Sequence, residues 1–346
     1  MKVWYNNQRK NQAVLLTDRV SRRYFSGVDV AEGFLLLCDK SYYFSDARYY
    51  YALRLKLKSC GIIPILYTGL ECINNILKNE KIKTLYVDFE KTSVKEYKDY
   101  RIFKVKLKDY SDTLKNLRSV KSDAELEKIE RACTVVQNAY YRTIKHLKPG
   151  ITEKQVAEIL EREMIENGAE SVAFDTIVAF GKNSAVPHHE TGETVLSTDM
   201  PVLIDVGCKV DGYCSDLTRT LFFGTPSEKF KSCYQAVLQA NLRAIEKITA
   251  GMKTDIADGI ARNTLKNNHM EQNFTHSLGH GVGLDIHEFP SLSPKKCDVL
   301  KNDMVFTIEP GVYFDGEFGI RIEDTVRLSD GKIKRLFTDE KKLIIL

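Results

Sequence analysis

With 346 residues, 43% of them hydrophobic, the chain is long enough for two domains or one large one, and it carries material for a sizeable core. Its 51 basic and 47 acidic side chains nearly balance, and lysine-rich stretches such as KNEKIK and KVKLKD read as solvated faces, so no nucleic-acid partner is expected. The opening MKVWYNNQRK has no apolar h-region, and runs such as FLLLC fall far short of the roughly 20 apolar residues of a membrane helix, so a cytoplasmic protein without membrane association is expected.

The first third alternates short strand-like and helix-like runs: GFLLLC, YYFSD, ARYYYALRLKLK, GIIPILY, LECINNILKNE, KTLYVDF and RIFKVK. This predicts an α/β domain over residues 1–116. A helical pair follows between about 120 and 168. Ser122 with Glu125 makes one capping box, Pro149-Gly150 ends the first pattern, and Thr152 with Gln155 opens the second. The strands and all the polar chemistry lie beyond, in residues 117–346, and no internal repeat is evident. Eight cysteines without a CxxC or regular spacing read as reduced thiols.

The stretch IDVGCKVDGYCSDLTRT, residues 204–220, places Asp211-Gly212 between two β-prone runs, a strong hairpin cue. If the loop is those two residues, Val210 faces Tyr213 and Asp205 lies opposite Thr218, which shares a sheet face with Asp216. Diagonal neighbours sit roughly 7–8 Å apart, so both carboxylates reach one point, and like charges held there invite a cation. Cys208 and Cys214 have the opposite parity; a cysteine ligand is conceivable, but packed core thiols are the simpler reading.

Five of the seven histidines, His188, His189, His276, His280 and His287, fall in VPHHETGE and THSLGHGVGLDIHEFP. Gly279, Gly281 and Gly283 strip side chains from around His280, which would let backbone approach an ion or substrate. In MVFTIEPGVYF, Glu309 ends an apolar strand, an awkward place for an unpaired charge. In GIRIEDTVRL, alternation puts Arg321 and Glu323 on one face, where ion pairing alone would also explain them, and leaves Asp324 exposed or capping. Asp205, Asp216, His280, Glu309 and Glu323 together supply four carboxylates and one imidazole. That set suits two hard divalent ions sharing carboxylates, manganese rather than a cysteine-rich zinc site, and so points to hydrolysis. A GxSxG elbow, a Walker loop and HExxH are all absent from the sequence.

In this order, IDVGCKVDGYCSDLTRT, HSLGHGVGLDIHE, TIEPGVY and GIRIEDTV resemble the pita-bread metallopeptidases, and most closely the Xaa-Pro peptidases, aminopeptidase P and prolidase. YFSGVDV and FSDARY resemble the creatinase-type N-terminal domain, and LRSVKSDAELEKIERA the linking helix. The resemblance implies an α+β class: a C-terminal pita-bread catalytic domain behind a smaller α/β creatinase-like domain. It implies Asp205, Asp216, His280, Glu309 and Glu323 as ligands of two divalent ions, most simply Mn²⁺ with Co²⁺ or Zn²⁺ as options, Asp216 and Glu323 bridging. Glu309 would also shuttle the proton to the leaving proline nitrogen; His188, His276 and His287 would orient substrate and stabilise the tetrahedral intermediate; Arg321 would hold a ligand carboxylate. His189 is read as a bystander. A homodimer acting on peptides with proline in the second position is implied. Ser291 stands where prolidases commonly carry an arginine, which tips the expectation toward an Xaa-Pro aminopeptidase, with prolidase as the alternative. The rival from another class is a peptide-binding member of the fold without chemistry.

Overall fold

The computed structural model describes residues 11–58 and 60–346, so MKVWYNNQRK lies outside the described residues. The chain divides into two compact units between Arg118 and Ser119.

The first unit is built on one six-stranded mixed sheet. Its strands are β1 (Gln12–Leu16), β2 (Phe34–Leu37), β3 (Ser41–Ser45), β4 (Ile62–Leu66), β5 (Thr84–Val87) and β6 (Lys106–Asp109), in the order β4-β3-β2-β1-β5-β6. Helices α1 (Arg19–Ser26), α2 (Ala47–Lys56), α3 (Leu70–Asn79), α4 (Val94–Asp99) and α5 (Ser111–Ser119) connect them. Alternate strand residues feed two separate cores: Ala13, Leu15 and Leu36 enter one, and Val14, Leu16 and Leu35 enter the other. The expected boundary near residue 116 falls within α5.

The second unit opens with α6 (Asp123–Thr143) and α7 (Glu153–Glu166). Glu125 reaches back to the Ser122 amide at 2.7 Å, and the Thr152 amide and Gln155 Oε1 meet at 3.0 Å, so both helix starts are satisfied as their sequences require. Then come β7 (Ser171–Val172), β8 (Ile177–Phe180), β9 (Met200–Val206), β10 (Cys208–Val210), β11 (Tyr213–Cys214) and β12 (Leu217–Phe223). Helices α8 (Glu228–Lys247) and α9 (Thr254–Lys266) precede β13 (Gly279–Gly281), β14 (Glu288–Leu292), β15 (Val305–Ile308), β16 (Gly311–Phe314), β17 (Phe318–Arg321), β18 (Asp324–Ser329) and β19 (Lys332–Arg335). The sheets run β12-β9-β8, β11-β10-β7, β14-β13-β15-β18-β19 and the ribbon β16-β17. Segregated antiparallel sheets and helices make this unit α+β, as expected. Its main core joins α8 and α9 to the five-stranded sheet and the β16-β17 ribbon through fully buried Val237, Ala257, Phe306, Val326 and Ile320. Each large apolar side chain so buried contributes about 1.5–3 kcal/mol.

The hairpin register follows the expected pairing: Val210 faces Tyr213 and Thr218 faces Asp205. Asp211 and Gly212 both have positive φ, 49° and 78°, which the tight turn demands. No helix among the described residues is long and apolar enough to cross a membrane.

Candidate active site

Three antiparallel pairings deliver the polar residues to one place. Asp205 sits on β9 opposite Thr218 on β12. Gly281, next to His280, pairs with Phe306 on β15. Ile308 pairs with Asp324, which sets the following Glu309 beside the preceding Glu323. The Glu323 amide donates to the Thr218 carbonyl at 3.0 Å, joining the two sheets.

A cavity of about 400 Å³ is bordered by Asp205, Asp216, His280, Glu309, Glu323, His188, His276, His287 and Arg321 together with apolar Phe174, Ile177 and Ile286. Every residue singled out from the sequence as ligand or catalytic group is there; His189 is not. Ligand atoms of Asp216, His280 and Glu323 lie within 4.8 Å of one another. His280 Nε2 stands 3.5 Å from Asp216 Oδ2 and 3.4 Å from Glu309 Oε1.

These groups are electrostatically unfinished. Burial, reinforced by the Glu323, Asp205 and Glu309 charges, holds Asp216 well above the usual carboxylate range, and burial with the Glu309 and Asp205 charges does the same to Glu323. Burial pushes Glu309 up to about 8, with Arg321 opposing and Asp205 reinforcing. His280 is driven down to about 4 by burial and by His287, so its imidazole is neutral. Its Nδ1 lies 3.1 Å from the Gly281 carbonyl, to which it donates, leaving the Nε2 lone pair among carboxylates. Asp205 Oδ1 is buried with no hydrogen-bond partner among the described residues. A lone pair and an orphaned oxygen facing a surplus of carboxylates fit divalent cations, and oxygen-rich ligation fits hard ones.

One cation is supplied by the chain itself. Arg321 is buried; its Nη2 donates to Asp205 Oδ2 at 2.5 Å, its Nε to Thr218 Oγ1 at 3.1 Å, and its Nη1 to Tyr313 Oη at 2.8 Å and the Pro187 carbonyl at 3.2 Å. Thr218 passes its own proton to Glu323 Oε2 at 2.6 Å. Tyr313, raised to about 12 by burial, meets His276 Nε2 at 2.9 Å, while His276 Nδ1 donates to the Ser277 carbonyl at 2.8 Å. His276 is thereby kept neutral and oriented, burial and Arg321 driving it down to about 3. His287 packs edge-on to His280 with ring centroids 4.2 Å apart and is lowered by burial and by His188. Glu288, which follows it, forms a buried 2.7 Å ion pair with Lys121.

Several expectations need correction. Asp324 is fully buried rather than exposed or capping: burial alone would raise it, but Arg219, Lys341 and Arg335 more than reverse this and hold it far below the usual range. Alternation does not link Arg321 to Glu323, because β17 ends at Arg321 and the chain crosses to β18 at Asp324. The glycines around His280 serve strand packing: a Cβ at Gly279 would fall on the Thr307 carbonyl, and one at Gly283 on the Glu288 carboxylate. Cys208 and Cys214 are packed core thiols, pushed up to about 11 and 12 by burial. His189, read as a bystander, lies 2.9 Å from buried Glu153. Tyr313, Thr218 and Thr307, which donates to Glu309 Oε1 at 3.0 Å, were not legible as site residues, although Tyr313 sits inside the quoted TIEPGVY.

The model of metallopeptidase family M24 matches residues 127–330, and that of the creatinase/prolidase N-terminal domain matches residues 6–120. The Xaa-Pro dipeptidase of Pyrococcus furiosus is 36% identical over 335 residues, covering 96% of this chain and 94% of its own length. Among solved structures, an Xaa-Pro dipeptidase from Bacillus anthracis superposes with a TM-score of 0.92 at 32% identity, covering 96% of this chain and 95% of that one. An X-Pro aminopeptidase from Thermotoga maritima gives 0.89 at 33% identity, with 97% of each chain covered. The chain therefore belongs to metallopeptidase family M24, the pita-bread metallopeptidases, with a creatinase/prolidase N-terminal domain, and is a metal-dependent hydrolase of peptide bonds.

Proposed function

We propose that the chain is an Xaa-Pro dipeptidase, a prolidase, that works with two divalent ions, most simply Mn²⁺. The observation that carries the choice of substrate is full-length similarity, above 90% of both chains, to proteins named Xaa-Pro dipeptidase. It supports prolidase better than the aminopeptidase expected from Ser291. That second reading keeps one specific support, the likeness to the Thermotoga maritima aminopeptidase.

Asp205, Asp216, His280, Glu309 and Glu323 would hold the ions, with Asp216 and Glu323 shared between them. Such ions supply Lewis acidity to the scissile carbonyl and acidify water. The side chains do the rest. Glu309 takes a proton from the attacking water at one carboxylate oxygen and delivers it to the proline nitrogen as the C–N bond breaks. That nitrogen belongs to a tertiary amide without an N–H, so no donor from the substrate is needed. His188 and His287 orient the substrate carbonyl and stabilise the developing oxyanion, while His276, its ring nitrogens engaged by Tyr313 and the Ser277 carbonyl, shapes the cavity wall that positions the substrate. Arg321 holds Asp205 in place. The reading includes a creatinase-like domain over residues 1–116 and a catalytic domain over 117–346. It also includes a homodimer, to be checked by sedimentation, and a reducing cytoplasm, in keeping with eight free thiols.

The test is to strip the protein with a chelator, restore Mn²⁺, and follow free amino acid from Ala-Pro and Ala-Pro-Ala. Release from the dipeptide alone supports prolidase. Release from the tripeptide moves the assignment to the aminopeptidase, and silence with both leaves a peptide-binding protein.

A further inference from the structure

His188 and His189 are neighbours that point to different surroundings. His188 borders the cavity, whereas His189 packs against Glu153, the first residue of α7, whose side chain is wholly buried. Glu153 Oε1 accepts from the Phe180 amide at 2.7 Å and from Asn183 Nδ2 at 2.8 Å. Its Oε2 accepts from the Gly192 amide at 3.2 Å and stands 2.9 Å from His189 Nε2. Both oxygens can only accept, so Nε2 of His189 carries its proton toward Oε2 and the carboxylate takes four donors. All four, from Phe180, Asn183, His189 and Gly192, lie on the segment that presents His188.

The same segment is tied down at other points as well. Ser184 Oγ donates to the Gly181 carbonyl at 2.6 Å and accepts the Gly319 amide at 2.9 Å. The Pro187 carbonyl accepts from Arg321 Nη1 at 3.2 Å. Thr191 Oγ1 donates to the Thr176 carbonyl at 2.8 Å and accepts the Val178 amide at 2.8 Å. Beyond His188, the side-chain tie nearest to it is His189 to Glu153. His188 is thus flanked on one side by the guanidinium that also holds Asp205, and on the other by a buried glutamate.

We propose that Glu153 and His189 form a positioning pair that sets the reach of His188 into the substrate cavity. The pair acts through His188 and touches no substrate itself. Its catalytic consequence rests on the Xaa-Pro peptidase reading above; its effect on the loop does not. Misplacing an orienting group by about 1 Å costs up to ~100-fold in rate, so losing one anchor of four on Glu153 should cost ~10-fold in kcat/KM.

The experiment uses the full-length Mn²⁺ enzyme with His188→Ala, His189→Ala, His189→Gln and the His188→Ala/His189→Ala double variant. kcat and KM are read on Ala-Pro and Ala-Pro-Ala, and hydrogen exchange is read over residues 181–194. His189→Ala should lose ~10-fold in kcat/KM, and His189→Gln, whose amide can still donate to Glu153, should recover most of it. In the His188→Ala background, His189→Ala should add less than ~2-fold, because the group it positions is already gone. A further loss of ~10-fold in that background, or unchanged kinetics with only a lowered melting temperature, overturns the proposal. If the native enzyme cleaves neither peptide, the functional reading fails separately. The loop claim is then decided by exchange: protection of 181–194 in His189→Ala equal to that of the native protein overturns it, and faster exchange confined to that segment supports it.

Discussion

Stripping the metal should make stability fall as pH rises from 7 to 8, and the size of the fall follows from the carboxyls. Glu309 titrates near 8 in the folded protein against 4.5 for the free side chain, with Asp216 and Glu323 raised as well, burial being the first cause in each case. Between these limits the folded, metal-free chain binds protons that the unfolded chain has lost. Its extra stability is complete below pH 4.5 and disappears as pH climbs through the folded values. The other shifted groups contribute little in this window. His276, His280 and His287, lowered by burial, are largely neutral in both states above 7, and Asp324 is ionised in both. Lys341, lowered to about 8 by burial, begins to lose its proton toward the upper edge and offsets a small part of the fall.

A proton retained across the whole interval is worth about 1.4 kcal/mol per pH unit, and Glu309, half ionised by pH 8, gives about 1 kcal/mol; with Asp216 and Glu323 the loss between pH 7 and 8 is about 1–4 kcal/mol. For a unit of this size that lowers the melting temperature by about 2 °C or more. Divalent ions need the ionised carboxylates, so excess Mn²⁺ should abolish the fall, and its stabilisation should be larger at pH 8 than at pH 7. Calorimetry of chelator-treated protein with and without Mn²⁺ at the two pH values measures both. A melting temperature in chelator that is flat or rising, or a Mn²⁺ effect equal at the two pH values, refutes the reasoning.

Glu309→Gln should retain some Mn²⁺ binding by calorimetry, weakened by the lost ligand, but lose about 100-fold or more in kcat at saturating Mn²⁺, because a neutral amide cannot relay the proton. Thr218→Val removes the hydroxyl between Arg321 Nε and Glu323 Oε2, and Mn²⁺ should bind about 10-fold more weakly in a competition titration. Lys121→Met takes away the ammonium 2.7 Å from buried Glu288, which should cost about 3 kcal/mol in urea unfolding and lower kcat through the adjoining His287.

What could be read in advance was whatever depends on local periodicity. The Asp211-Gly212 turn fixed the hairpin register by parity, and with it the approach of Asp205 to Thr218. Capping boxes at Ser122 and Thr152 marked both helix starts. The misses are all nonlocal. Arg321 ends β17 while Glu323 lies in the crossing that leads to β18, and no period-2 pattern signals a crossing two residues long. Tyr313 and Thr218 look like ordinary strand residues until tertiary pairing sets both on Arg321. Glu153 looks like an ordinary residue of a helix first turn until β8 and the His188 segment close over it.

Glu323 and Asp324 show how the fold separates two kinds of buried acid. They are adjacent in sequence and both buried, yet burial and neighbouring carboxylates raise one while three cations lower the other. Asp324 receives Arg219 at 2.8 Å, Arg335 at 3.1 Å and Lys341 at 2.5 Å, a compensation the chain provides for itself. Glu323 shares its cavity with Asp205, Asp216 and Glu309, and against these four carboxylates the chain sets one guanidinium, Arg321. His276 and His280 cannot make up the difference, since burial keeps them neutral. An excess of negative charge is thus left over when these acids ionise, and the divalent cations that the metallopeptidase family implies would offset it. The short step from β17 to β18 separates these two environments, so the same residues that complete the core on one side leave the other dependent on metal.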